Sequence, residues 1–378
     1  MPRARIAVAV AVAVVLGFGA VAGAQERQFH YPAPAPSSFT VLRDQAYGDL
    51  KMDVYRPANA AAAPVLIVFN MASGAERGQP FFTAWAEIAA SKGLVAIVPD
   101  LREASLAQDF DALLAHLAAN AASLGADRDR IAVYAASGNV YRGLPLFVDP
   151  RRTTIKAMVL YYGSADVKTF RGDLPTLFVR AGLDRPPVTR GMTNLITLAH
   201  TQNVPVTVVN YPGGHHAFEM LDDEAATRDV IDTTIDFVAR STSPAHQASV
   251  RRGLPEATAA AHVAAGDFAA ASTIYADLVK ARPDDPRLRL SYGEALLGAA
   301  QFAAACSVFD QLRNRGLGPR DLGVPAARAC MQKGDAEAAI AWIASIPTQY
   351  RPRAIEADPI FAPIRERAAF KALFEAGR

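Results

Sequence analysis

The chain has little with which to hold a metal ion or a polyanion. Its 378 residues include two cysteines and seven histidines, with no Cys/His cluster at metal-ligand spacing, so neither a metal nor a cofactor is expected. Lys and Arg number 39 against 37 Asp and Glu, leaving a net charge of +2 with both signs spread along the chain. No basic stripe with interleaved aromatics is present, which argues against nucleic acid as a partner. Strand-like runs stop altogether after about residue 254, and the long unbroken apolar run is confined to the N-terminus. What is plentiful is apolar side chain, 51% of residues, enough for a large core and, at this length, for two domains.

That N-terminal run reads as an address. Met1-Pro-Arg-Ala-Arg5 is a basic head, Ile6 to Val21 is apolar or small, and Ala22-Gly-Ala24 puts small residues at −3 and −1 before Gln25. The run approaches spanning length, but the Ala-x-Ala ending favours a secretory signal peptide cleaved after Ala24 over an uncleaved anchor. The mature chain is therefore expected in the periplasm or outside the cell, with no stable membrane insertion. In an oxidising compartment Cys306 and Cys330 are either disulfide-bonded or buried free thiols in helices, and the sequence leaves both open.

Residues 25–45, rich in Pro, Ala and Ser at their start, read as a flexible lead-in. Leu50-Lys-Met-Asp-Val-Tyr55 alternates as an edge strand does. Val65–Phe69, Leu94–Val98, Ile131–Tyr134, Ala157–Tyr162, Thr176–Val179 and Val206–Asn210 are apolar on consecutive positions, the pattern of parallel strands covered on both faces. Amphipathic helices are predicted between them, at Phe81–Ser91, Asp109–Leu124, Thr189–Gln202 and Asp222–Ala239. Residues 46–240 thus predict a doubly wound, mostly parallel α/β domain. The polar stretch 241–254 reads as a linker, and 255–378 as an all-α domain. There Gly266-Asp-Phe268, Ala300-Gln-Phe302 and Gly334-Asp-Ala336 recur at a spacing of 34, with Ala271, Ala305 and Ala339 in the same register. Small residues at that period in alanine-rich helices resemble tetratricopeptide repeats, with a generic helical bundle as the plainer reading.

Three residues carry the chemistry, each just past the end of a strand. Ser137 ends Ile131-Ala-Val-Tyr-Ala-Ala-Ser137, Asp184 follows Thr176-Leu-Phe-Val-Arg-Ala-Gly-Leu183, and His216 follows Val206-Thr-Val-Val-Asn-Tyr-Pro-Gly-Gly-His215. A parallel sheet brings such strand ends to one edge, and the chain order serine, acid, histidine is that of the α/β-hydrolase triad. Asp166 is a rival acid, Asp173 a weaker one, and His215 a rival base. Taken singly, Ser137 also suits a helix cap and Asp184 an Asx turn. The elbow around the serine usually reads Gly-x-Ser-x-Gly because the chain folds back so tightly there; here the flanks are Ala135 and Asn139. The amide of Gly138 is one candidate oxyanion donor. The second is the amide of Met71, or of Ala72, in Phe69-Asn-Met-Ala-Ser-Gly74, a turn without the usual glycines.

Residues from about 48 to 240 resemble the dienelactone hydrolase and esterase branch of the α/β-hydrolase fold. The likeness rests on Leu50-Lys-Met-Asp-Val-Tyr-Arg-Pro57, Asp127-Arg-Asp-Arg-Ile-Ala-Val-Tyr134 and Tyr211-Pro-Gly-Gly-His-His-Ala-Phe218. In that branch the catalytic histidine stands two residues before the phenylalanine, which selects His216. The resemblance implies a serine hydrolase that cleaves carboxylic esters without cofactor or metal. Two other readings stay open: a weak or inactive hydrolase scaffold that binds partners through its repeats, and a peptidase of the prolyl-oligopeptidase kind. The short stretch between Tyr162 and Thr176 leaves no room for a helical cap, so an open site taking small soluble esters is expected.

Overall fold

Consecutive apolar residues need cover on both faces, and the structure, a computed structural model describing residues 29–70 and 77–375, supplies it. Strands β1 (Phe39–Tyr47), β2 (Leu50–Pro57), β3 (Ala63–Val68), β4 (Val95–Pro99), β5 (Ala126–Ala136), β6 (Ile155–Tyr161), β7 (Thr176–Ala181) and β8 (Val206–Tyr211) form one sheet. Their order is β1-β2-β4-β3-β5-β6-β7-β8. β1 and β2 are antiparallel, β2 runs antiparallel to β4, and every remaining pair is parallel. This is the doubly wound sheet of the α/β-hydrolase fold.

Helices α1 (Pro80–Ser91) and α6 (Ala225–Ser241) cover one face, over a core that includes Trp85, Tyr134 and Tyr161. Helices α2 (Leu106–Asn120), α3 (Gly138–Phe147) and α4 (Pro186–Thr201) cover the other, over Phe69, Phe110 and Phe178. A one-turn helix, α5 (Phe218–Leu221), follows β8. Each fully buried side chain of this size contributes roughly 1.5–3 kcal/mol relative to exposure, so the sheet's carboxyl edge is a rigid platform.

Two N-terminal expectations change. Leu50–Tyr55 lies in β2, which is an inner strand; the edge is β1, where Asp44 takes φ 52° at the shift in register between Leu42 and Gln45. β1 is half exposed and polar in the middle, as edge strands are, and that hid it within the expected lead-in. Nor is the rest of that lead-in free: near its start Phe29 is buried edge-on against Phe81 and Trp85, and Tyr31 Oη donates to Asp232 at 2.7 Å. The stretch read as a signal peptide lies outside the described residues.

Beyond the sheet the chain is helical: α7 (Pro244–Ala264), α8 (Phe268–Ala281), α9 (Pro286–Gly298), α10 (Phe302–Asn314), α11 (Pro319–Gln332), α12 (Ala336–Ser345), α13 (Ala354–Ala357) and α14 (Ala368–Glu375). Helices α8, α10 and α12 open 34 residues apart, and Ala271, Ala305 and Ala339 are each fully buried. Asp267 and Asp335 cap α8 and α12, accepting from Ala270 N–H and Ala338 N–H; such caps contribute about 1 kcal/mol each. Cys306 and Cys330 form a disulfide between α10 and α11. The helices bury their own clusters, separate from those of the sheet.

The stretch read as a linker, 241–254, instead closes α6 at Ser241 and, from Pro244, forms the first half of α7. Only Gln247 and Ala259 of this helix are buried, so its sequence looks like loop. Gln247 nevertheless ties the two parts together, its Nε2 donating to the carbonyls of Lys156 (2.8 Å) and Ser241 (2.7 Å). Asn203 Nδ2 donates to the Ala257 carbonyl at 3.1 Å. Leu254 abuts Gly172, where a Cβ would come within 2.7 Å of Leu254 Cδ1. Lys156 opens β6, while Gly172 and Asn203 precede β7 and β8, so α7 docks at the amino ends of the strands, opposite the edge that carries Ser137, Asp184 and His216. A chain ending at Gly266 should therefore fold and keep close to the full-length kcat on a small activated ester. One ending at Ser243 strips Gln247 from two carbonyls, each costing about 1–3 kcal/mol if left unpaired in the interior, and should show a lower Tm. Loss of most activity in the soluble longer form would contradict this placement.

Candidate active site

Ser137 has one residue in which to turn the chain from β5 into α3, and it does so at φ 55°, ψ −127°. Side chains rarely adopt that region, and holding one there costs on the order of 1–3 kcal/mol. The surroundings enforce it: Ser137 N–H donates to the Tyr161 carbonyl at 3.0 Å, and Val140 N–H donates back to the Ser137 carbonyl at 3.1 Å. Gly163 makes the packing feasible, since a Cβ there would stand 2.5 Å from Val140 Cβ and 2.7 Å from the Ser137 oxygen. Ala135 is fully buried beneath the elbow, while Asn139 sits half-buried in the first turn of α3. The two departures from glycine do not prevent the turn.

The three strand-end residues come together. Ser137 Oγ lies 2.8 Å from His216 Nε2, and His216 Nδ1 lies 2.7 Å from Asp184 Oδ2. The Asp184 side chain is 1% exposed and that of His216 28%, so the acid is sheltered while the base meets solvent. Asp184 Oδ1 accepts from Arg185 N–H at 2.6 Å. Gly182 is needed here as well: a Cβ would fall 2.1 Å from the Pro212 carbonyl. Leu183 N–H donates to the Gly214 carbonyl at 2.9 Å, joining the acid turn to the histidine turn. Ala217, at φ 61°, bends the chain after His216 into α5.

The rivals are occupied elsewhere. His215 is bound to Asp222 through Nδ1 (2.7 Å) and through its own amide (2.8 Å). Asp173 pairs with Arg171 at 2.8 Å. Asp166 is exposed and lines a neighbouring cleft of about 330 Å³ with Tyr141, Ser164, Val167, Asn194 and Leu195. A wider hollow of about 490 Å³ among Lys333, Asp335, Glu337 and Arg367 lies in the helical region and holds no nucleophile–base pair.

Gly138 opens α3, so its N–H has no partner within the helix. Met71 and Ala72 lie outside the described residues. Arg77, just after them, is buried and fixed by Asp44 (2.7 Å) and Asp100 (2.9 Å). No helix interrupts residues 162–175, and Tyr141, Leu183 and Leu221 stand exposed near the site.

One element of the site was not read from the sequence. Three residues past His216, Glu219 is fully buried, accepting from Tyr162 Oη (2.9 and 3.1 Å) and Tyr134 Oη (3.2 Å). The Tyr162 ring packs 4.8 Å from that of His216. In sequence Glu219 stands among further acids, Asp222, Asp223 and Glu224, and no signal set it apart.

No protein-family model matches the chain, and no curated protein matches it. Solved structures do. It is similar to esterase Est22 (16% identity over 53% of this chain and 80% of that one, TM-score 0.43). It is also similar to the Pyrobaculum calidifontis esterase (16%, 55% and 86%, 0.46) and to a truncated carbohydrate esterase from gut microbiota (13%, 56% and 99%, 0.47). These neighbours are esterases, at identities that speak to fold; roles at this site rest on its own geometry.

Proposed function

We propose that the chain is an exported serine hydrolase that cleaves small carboxylic esters. Ser137 Oγ attacks the ester carbonyl carbon while His216 Nε2 takes its proton. The oxyanion that forms is held by the Gly138 amide, with Met71 as the second candidate donor. As the intermediate collapses, the carbon–oxygen bond to the alcohol breaks and His216 returns the proton to the leaving oxygen. Water, deprotonated by the same imidazole, then resolves the acyl-enzyme to acid and free Ser137. Asp184 holds the imidazole in the required tautomer and stabilises its charged form. The observation that carries this reading is the unbroken relay from Ser137 through His216 to a buried Asp184, with the serine in a strained turn.

Substrate size follows from the entrance. The uncapped connector leaves the site open, which supports small soluble esters over long acyl chains. On p-nitrophenyl esters, acetyl and butyryl substrates should be turned over faster than palmitoyl; the reverse order would overturn this specificity. The disulfide supports export to an oxidising compartment. The 34-residue spacing and buried alanines support a tetratricopeptide-like module that binds a protein or peptide partner.

A further inference from the structure

We propose that Glu219 is a positioning residue for this hydrolysis: its buried carboxylate fixes Tyr162 against the His216 ring and sets a second negative charge behind the imidazolium formed in catalysis. The inference rests on the reading of His216 as the base.

Every group around the carboxyl is a donor or an aromatic wall. Tyr134 reaches it from β5 and Tyr162 from the end of β6, where the backbone bends to φ 26°. Tyr161 lies beside them, its ring 5.7 Å from that of Tyr162. From α1, the Trp85 indole N–H favours the ionised form, although it makes no hydrogen bond of normal geometry. Tyr211, from β8, packs on Phe218, and the His30 N–H donates to the Glu219 carbonyl at 2.7 Å, so the N-terminal strap also holds α5. No ion pair among the described residues reaches Glu219. The nearby ionisable side chain that becomes cationic during turnover is His216, behind Tyr162.

An unpaired buried carboxyl is a cost to the fold. Burial pushes Glu219 from its ordinary 4.5 up to about 7, against the opposing pull of its own amide, Tyr162 and Tyr134. Because the folded value lies above the unfolded one, this group's contribution to stability is full below about pH 4.5 and is lost as pH rises through about 7. A fold that only needed to fill this space would be more stable with a neutral side chain there. A charge retained at such a cost, one aromatic ring from the base, points to function.

The test is Glu219→Gln in the full-length protein, which keeps the shape and removes the charge. Its Tm should exceed the wild-type value at pH 8, with the gap closing towards pH 5. Its kcat/KM should fall on the order of ten-fold at pH 8, the scale seen when the outer partner of an oriented histidine is lost. The acid limb of its pH profile should move to lower pH and become shallower, since one ionisation has been removed. Tyr162→Phe, which leaves the ring on His216 but removes a hydrogen bond that favours the ionised carboxyl, should raise the Glu219 pKa and move the limb the opposite way, to higher pH, and carries the test alone if Glu219→Gln does not fold. An unmoved limb in these variants, whether activity is kept or falls together with Tm, overturns the proposal and leaves Glu219 a structural residue. A wild-type protein that hydrolyses no ester overturns the hydrolase reading itself, and this inference with it.

Discussion

Ser137→Ala and His216→Ala should each remove nearly all ester turnover, on the order of 10⁴-fold or more, whereas His215→Ala keeps most of it. Without Ser137 there is no nucleophile, and without His216 nothing within 2.8 Å takes its proton. The two losses should not add in the double variant, because members of one relay act as a unit. The His215 control separates the neighbours cleanly: its ring is bound to Asp222, so removing it frees an exposed contact and leaves the relay untouched. If His215→Ala were the dead variant, the assignment of the base would be off by one residue.

Asp184→Asn is expected to cost on the order of 10⁴-fold in kcat with the fold intact, because an amide no longer selects the tautomer that leaves Nε2 free to accept. Asp184 Oδ2 is the partner of His216 Nδ1, and Oδ1 is already held by Arg185 N–H. The replacement is isosteric in a pocket that leaves the side chain 1% exposed, so circular dichroism and Tm should stay near wild type. Asp166→Asn, at an exposed position on the neighbouring cleft, should change kcat by no more than a few-fold. Inverted results for the two acids would move the triad's third member to Asp166.

How legible all this was depends on what sequence can carry. Strands β3 to β7 announced themselves because strands buried on both faces are apolar at nearly every position. β8, the far edge with Val208 and Asn210 exposed, showed through its valines, and three polar residues just past these strand ends stood out against that background. β1 did not, because an exposed edge strand such as Phe39–Tyr47 mixes Arg, Asp and Gln with its apolar residues. The linker reading failed for a related reason: α7 buries Gln247, not a leucine stripe, so amphipathic periodicity was missing where the helix docks. Periodicity did serve in the helical region, where the 34-residue register fell on three buried alanines, Ala271, Ala305 and Ala339. Ala135 and Asn139 looked like obstacles because the elbow's steric demand was assigned to its own flanks, whereas the closest approach falls on Gly163, 26 residues further on. Glu219 went unread because burial of a charge is a tertiary fact; in sequence it is one more acid after a phenylalanine.

The central claim is that Ser137 is an activated nucleophile, and a fluorophosphonate probe reads that directly because it phosphonylates only a serine whose proton is being taken. Full-length wild type should be labelled with 1:1 stoichiometry at Ser137, and Ser137→Ala should take up no label. Failure of the folded wild type to react, or equal labelling of Ser137→Ala, would contradict the account.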